Sequence, residues 1–412
     1  MERGRLTRAH KASSASVERS QLASGARIWP VISLLPVLLA GNVLKPAGIV
    51  TVLGVDTTVL SMGLLLAASG LAFLRRPNYP LKEILPVAVF AVVVLVGVAM
   101  SDVGEYQAMK ARDFFLLTGV IIACIPVLVR DVRDLRGLVF TWLFSGATAA
   151  STVFLVGGSE TLYGREGIGE TTLGPAYLAA AGLVAGATAW GERQVSWPVA
   201  IPIVAVTGIA VVTIGSRGPM LSALAGLAAW AMLRGVFRTR TVIAVLALGG
   251  AILLGLRMAS EESASRIFLY VDLAREDLWT IARAAFIDSP LLGLGWGDYA
   301  TVGWANYPHN AFLEVGTELG IMGILAFVAL LLAGLLRTWR ARAAGEVRVV
   351  GALAVAALVG QQFSGDLTNR AFWIAFVPTL LCASLVSDVD PSHITLAEPS
   401  TRPLVGPRRP RI

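Results

Sequence analysis

ILPVAVFAVVVLVGVAM, residues 84–100, carries no charge from end to end, and its length decides the class of fold. A helix rises 1.5 Å per residue, so roughly twenty apolar residues cross a hydrocarbon core of about 30 Å. Blocks of similar length recur along the 412-residue chain, separated by short polar segments, and 56% of all residues are apolar against 15% charged. The pattern predicts an all-α, polytopic membrane protein of about twelve transmembrane helices. The spans fall near 28–44, 58–74, 84–100, 113–129, 137–156, 173–190, 197–214, 218–233, 241–257, 311–336, 347–363 and 371–387. Residues 28–257 thus hold spans one to nine and residues 311–387 spans ten to twelve. Between them lies one large loop, 258–310.

Lysine and arginine set the expected orientation, because cytoplasmic loops keep the positive charge. The N-terminal tail holds Arg3, Arg5, Arg8, Lys11, Arg19 and Arg27, and alternate loops continue the bias with Arg75, Arg76, Lys82, Arg130, Arg133, Arg136, Arg193, Arg234, Arg238, Arg240, Arg337, Arg340, Arg342 and Arg348. With Arg402, Arg408, Arg409 and Arg411 this set covers most of the 34 basic residues. The other loops hold only Lys45, Lys110, Arg112, Arg165, Arg217, Arg257, Arg266, Arg275, Arg283 and Arg370. Both termini are therefore expected in the cytoplasm, as tails over 1–27 and 388–412, and the 258–310 loop outside it. The net charge of +7 reflects this topology. No aromatic-interleaved basic face points to nucleic acid as a partner.

Cys124 and Cys382 both fall inside spans, where a thiol behaves as a small apolar group. Of three histidines, His10 and His393 lie in the tails and His309 alone stands in the body. One histidine without companions cannot build a nitrogen or sulfur metal site, so no metal or cofactor is expected; an oxygen-only site would have to use Glu314, Glu318 or Asp366.

The 258–310 loop holds the chemistry. Helical spacing over ESASRIFLYVDLAREDLWTIARAAFIDSP puts Leu278, Ile281, Ala282 and Ala285 on one stripe and Arg275, Trp279 and Arg283 on the next, which predicts an amphipathic helix at the membrane surface. Asp288-Ser289-Pro290 ends it. Gly293, Gly295 and Gly297 then allow a tight loop of close approach, without the spacing of a dinucleotide fingerprint. Trp279, Trp296 and Trp304 suit an interfacial aromatic belt. Pro308-His309-Asn310 opens the tenth span, with Asn310 as N-cap and Asn310, Glu314 and Glu318 on one face. Carboxylates inside a membrane helix are costly unless they face protein, water or a partner. Pro219 begins the eighth span next to Arg217, so two positive helix ends, one beside Arg217 and one beside His309, face one side of the membrane and suit an anion at headgroup level.

The strings SRGPMLSALAGL, REDLW, PLLGLGWGDY and PHNAFLEVGTELGIMGILAF resemble the O-antigen ligase and polysaccharide polymerase superfamily of bacterial membrane glycosyltransferases. The resemblance is detailed over about residues 207–336 and most specific in PHNAFLE and ELGIMG. It implies a multi-pass inner-membrane enzyme that moves a glycan from an undecaprenyl diphosphate carrier to an acceptor hydroxyl outside the cytoplasm, inverting and without metal. The acceptor would be a glycan, a lipid or a protein. Matched by motif, Arg217 and Arg275, with Arg266 as the alternative to Arg275, take the diphosphate-binding positions and His309 the catalytic histidine. Glu314 and Glu318 are expected to support it by setting its tautomer. The rival class is a transporter or channel for a small anion, which calls for internal repeats and broken helices near the midplane.

Overall fold

The computed structural model describes residues 31–40, 43, 56–102, 104–155, 173–214, 217–235, 273–364 and 366–387. Within them the chain is helical and forms no strand. In order the helices are α1 Leu34–Leu39, α2 Thr57–Arg75, α3 Leu81–Met100, α4 Glu105–Arg112, α5 Gly119–Leu128, α6 Asp134–Leu155, α7 Leu173–Gly191, α8 Trp197–Ile214, α9 Arg217–Leu233, α10 Leu273–Asp288, α11 Tyr299–Val302, α12 Ala311–Arg340, α13 Gly345–Ser364 and α14 Arg370–Ser387. A π turn, Asp113–Thr118, joins α4 to α5 in one rod.

Six of these segments are long and apolar enough to cross a membrane: α2, α3, the α4–α5 rod, α12, residues 345–363 of α13, and α14. Their outer faces agree with that environment. Leu60, Leu71 and Leu74 of α2 and Leu85, Val92 and Leu95 of α3 are all more than half exposed, a continuous apolar surface that water would not tolerate but lipid does. Helices α6 to α9 coincide with the expected spans at 137–156, 173–190, 197–214 and 218–233. The expected span at 241–257 and both tails lie outside the described residues, and the first expected span is described only in part.

The interior is built from small residues and rings, as expected where helix association cannot rely on expelling water. Gly146 of α6 and Gly182 of α7 meet so closely that a Cβ on either would strike the other's backbone. Helix α9 lies along α13, and α7 touches α6, α8, α9 and α13. Near α12 the contacts are aromatic: Phe90 to Phe327 at 5.4 Å and Phe372 to Trp373 at 5.1 Å between ring centroids. Cys124 and Cys382 are buried free thiols, as their positions predict.

Charged contacts gather the basic connections at the end of the bundle away from His309. Arg136 Nε donates to Glu346 Oε1 at 2.7 Å. Arg348 Nε and Trp230 Nε1 both donate to Glu192 Oε1, at 2.9 and 2.8 Å. Arg337 reaches the carbonyls of Glu83 and Leu380. Four of the loops assigned to one side by charge alone are thus spatial neighbours.

The tenth expected span departs from a plain helix. Gly320 has φ 62° and ψ −157°, which breaks α12 into two rods. The chain from Pro290 to Gly295 fills the break. Leu294 N–H donates to Thr317 O and Gly295 N–H to Glu318 O, while Ile321 N–H donates to Pro290 O, at 2.8 to 3.1 Å. The backbone groups that the break releases are thereby satisfied, the condition for irregular backbone at membrane depth. Gly293, Gly295 and Gly297 all take positive φ, so the expected close-approach loop forms, and α12 is what it approaches.

Candidate active site

Helix α10 packs against α12 with Leu278, Ala282 and Ala285 buried and Arg283 exposed, the expected stripe. It lies on protein. Tyr299 Oη donates to Leu278 O at 3.0 Å, and burial pushes this phenol up to about 12. Trp279 Nε1 donates to Pro308 O at 3.1 Å, which ties α10 to the residue before His309.

His309 itself has φ 54°, a left-handed conformation that costs a non-glycine residue free energy and tends to persist where function requires it. Asn310 resets the chain to extended, and its Oδ1 accepts from Phe312 N–H and Leu313 N–H at 3.0 and 3.1 Å, the expected N-cap. The His309 ring lies 4.4 Å from that of Tyr307. Both rings line a cavity of about 230 Å³ shared with Trp142, Tyr177, Ser222, Gln361, Asn369 and Phe372.

Tyr177 connects this cavity to the arginines. A Cβ on Gly218 would overlap the Tyr177 hydroxyl, so the start of α9, where exposed Arg217 stands, abuts it. Arg275 lies near enough to act on Tyr177 electrostatically. The structure therefore brings His309, Arg275 and the Arg217 end of α9 around one tyrosine that the sequence did not single out. Arg266 lies outside the described residues.

Glu314 and Glu318 have a different neighbour. Both are fully buried, and Lys110 of α4, 2% exposed, sits between them. Its Nζ lies 2.6 Å from Glu314 Oε1 and 2.7 Å from both oxygens of Glu318. Leu367 N–H approaches Glu314 Oε1 at 3.5 Å. Trp296, placed in an interfacial belt by its sequence context, is completely buried, with Lys110 Nζ 4.7 Å from its ring centroid and Phe114 at 5.1 Å. Lys110, assigned by charge pattern to a connecting loop, belongs to a helix that begins a turn and a half earlier. The position that an oxygen-only divalent site on Glu314 and Glu318 would need holds an ammonium group. Among the described residues no cluster of His, Cys, Asp and Glu has a metal-binding arrangement.

Asp298 completes the scaffold. Its Oδ1 accepts from Gln107 Nε2 at 3.0 Å and its Oδ2 from Asp102 N–H at 3.2 Å. The glycine loop is thus fastened to α4 on one side and to the break in α12 on the other.

Helix α9, which begins Arg217-Gly218-Pro219, a loop of positive-φ glycines and a strained histidine before an N-capped membrane helix belong to one stretch of chain. Residues 202–328 match the O-antigen ligase family. The match is a likeness of that stretch to the O-antigen ligase family. It covers α8 from Pro202, α9, α10, the glycine loop, His309 and the first part of α12, under a third of the chain. Lys110, Trp142, Tyr177 and Gln361 lie outside the matched region and reach it only through the fold. No curated protein matches the chain.

Proposed function

We propose that the protein transfers a glycan from an undecaprenyl diphosphate carrier to an acceptor hydroxyl at the extracytoplasmic face of a bacterial inner membrane, by a metal-independent, inverting displacement. The observation that carries this reading is His309, held in a left-handed backbone on the wall of a cavity that it shares with Tyr177, the neighbour of Arg275 and of the Arg217 end of α9.

In that reading the acceptor oxygen attacks the anomeric carbon, its proton passes to the His309 imidazole, and the anomeric C–O bond breaks with its electron pair leaving on the diphosphate. A positioned base of this kind contributes about 10²–10⁴-fold. Arg217 and Arg275, with the N-terminal end of α9, supply positive charge where the leaving group develops negative charge. Glu314 and Glu318 act at one remove: through Lys110 they hold the break in α12 and the glycine loop, and so the approach to His309.

The break at Gly320 is a feature shared with transporters, in which unwound helices expose backbone to a substrate path. Here the released groups bind the 290–295 backbone, which favours a scaffold over a path.

The test uses full-length protein in liposomes with an undecaprenyl diphosphate-linked glycan and a panel of acceptors, following release of free undecaprenyl diphosphate with and without EDTA. Release is expected to survive EDTA, to fall by about 10²–10⁴ in His309→Ala and by about 10²–10³ in Arg275→Ala. Full activity in His309→Ala would sink the proposed role, and anion flux without release would favour the transporter.

A further inference from the structure

Two side chains on the wall of the cavity beside His309 each carry a polar atom that the protein leaves unanswered. Trp142 on α6 and Gln361 on α13 are 2% and 4% exposed, and both line it. Neither the Trp142 Nε1–H donor nor the Gln361 Oε1 acceptor has a hydrogen-bond partner. Buried polar atoms are nearly always paired, and an unpaired one calls for an explanation. Two on one cavity wall, one donor and one acceptor, are the pattern expected of a site whose ligand supplies both complements.

The rest of the wall narrows the chemistry. Among the described residues the wall has no Asp, Glu, Lys or Arg, so a charge seated there would lack a direct ion-pair partner, at a high desolvation cost. Tyr177, Tyr307 and Phe372 add aromatic rings, whose electron-rich faces attract C–H groups. Hydroxyls both donate and accept. A pyranose ring joins these properties, with hydroxyls around its edge and C–H groups on its faces. At about 230 Å³ the cavity lies below the roughly 300 Å³ where pockets for drug-sized ligands begin, which suits one ring.

We propose that this cavity is a subsite for a single neutral glycosyl ring, held between Trp142 Nε1 and Gln361 Oε1 next to His309. The inference rests on the glycan-transfer reading and deepens it by naming residues that select the sugar. The ring belongs either to the donor, as the unit attached to the diphosphate, or to the acceptor.

The experiment measures binding to the full-length protein in nanodiscs of three probes: undecaprenyl diphosphate, the same carrier bearing one neutral hexose, and a panel of neutral methyl glycosides. Trp142→Phe keeps an aromatic ring, Gln361→Met keeps the chain length, and both remove the polar atom. If the donor ring is bound, wild type is expected to prefer the hexose-bearing carrier over the bare one by about tenfold or more. Each variant then loses that preference while its affinity for bare carrier stays unchanged. If the acceptor ring is bound, the same loss appears with a methyl glycoside instead. Without ligand, Gln361→Met is expected to be at least as stable as wild type to heat, because it removes an unanswered polar group and keeps the chain length. A sugar preference that persists in both variants, or a wild type that binds bare carrier with no sugar preference in either arm, overturns the subsite alone. A wild type that binds no form of the carrier overturns the donor reading along with it.

Discussion

Lys110 Nζ donates to both carboxylate oxygens of Glu318 at 2.7 Å, joining helices more than two hundred residues apart in the sequence. The pair is buried beside the break in α12, with Glu314 2.6 Å from the same nitrogen. A buried ion pair is weak evidence of net stabilisation, but removing one member leaves an uncompensated charge.

Lys110→Met is therefore expected to lower stability by about 3–5 kcal/mol, visible as a lower melting temperature in detergent. The triple variant with Glu314→Gln and Glu318→Gln is expected to recover most of the loss. A single variant as stable as wild type would show that the cluster carries no burden.

The two carboxylates are not equivalent. Both oxygens of Glu318 accept from Lys110, whereas Glu314 Oε2 has no hydrogen-bond partner. Glu318→Gln is expected to cost more than Glu314→Gln, by about 1–3 kcal/mol, the usual penalty of disturbing charged hydrogen bonds. Parallel thermal melts compare them.

Gly320→Ala forces a Cβ into the backbone of Leu291 at a positive φ. A loss of about 1–3 kcal/mol from strain alone, with transfer activity falling alongside, is expected. Gly63→Ala, where nothing lies within 4 Å of the added atom, serves as the control and should leave both unchanged.

Trp279→Phe removes the hydrogen bond to Pro308 O and keeps an aromatic ring. Stability is expected to fall by only about 0.5–1.5 kcal/mol, while kcat falls more than KM changes, because His309 loses its anchor. Equal effects on stability and kcat, with no kinetic split, would assign Trp279 a packing role only.

At the far end, burial pushes the Glu192 carboxyl up, but hydrogen bonds from Arg348 and Trp230 and the charges of Arg348 and Arg234 outweigh it and hold the group below the usual carboxylate range. A depressed carboxylate stabilises the fold above its unfolded pKa and loses that contribution as pH falls through the folded value. The Glu192 contribution should thus be complete at neutral pH and decline below about pH 4.3. Glu192→Gln is expected to flatten that part of the stability profile; an unchanged profile would remove Glu192 from the acid response.

Sequence alone determined what depends on neighbours along the chain. Apolar block length marked α2, α3, the helices from α5 to α9 and those from α12 to α14, but not the polar α4 that carries Lys110, and helical spacing found the buried stripe of α10. Asn310 announced its cap, and the three glycines announced a loop of positive φ. Each is a local property, set by backbone stereochemistry or by the period of a helix. Tertiary structure decided what depends on distant partners. GxxG within an apolar run reads as ordinary helix packing, so the break at Gly320 became visible only with residues 290–295 lying in it. Glu314 and Glu318 signalled that a buried partner must exist, yet only the fold chose Lys110, because the attraction between two charges depends on distance in space and is indifferent to separation in sequence. Trp142 and Gln361 look like any span residues until a cavity leaves their polar atoms unanswered.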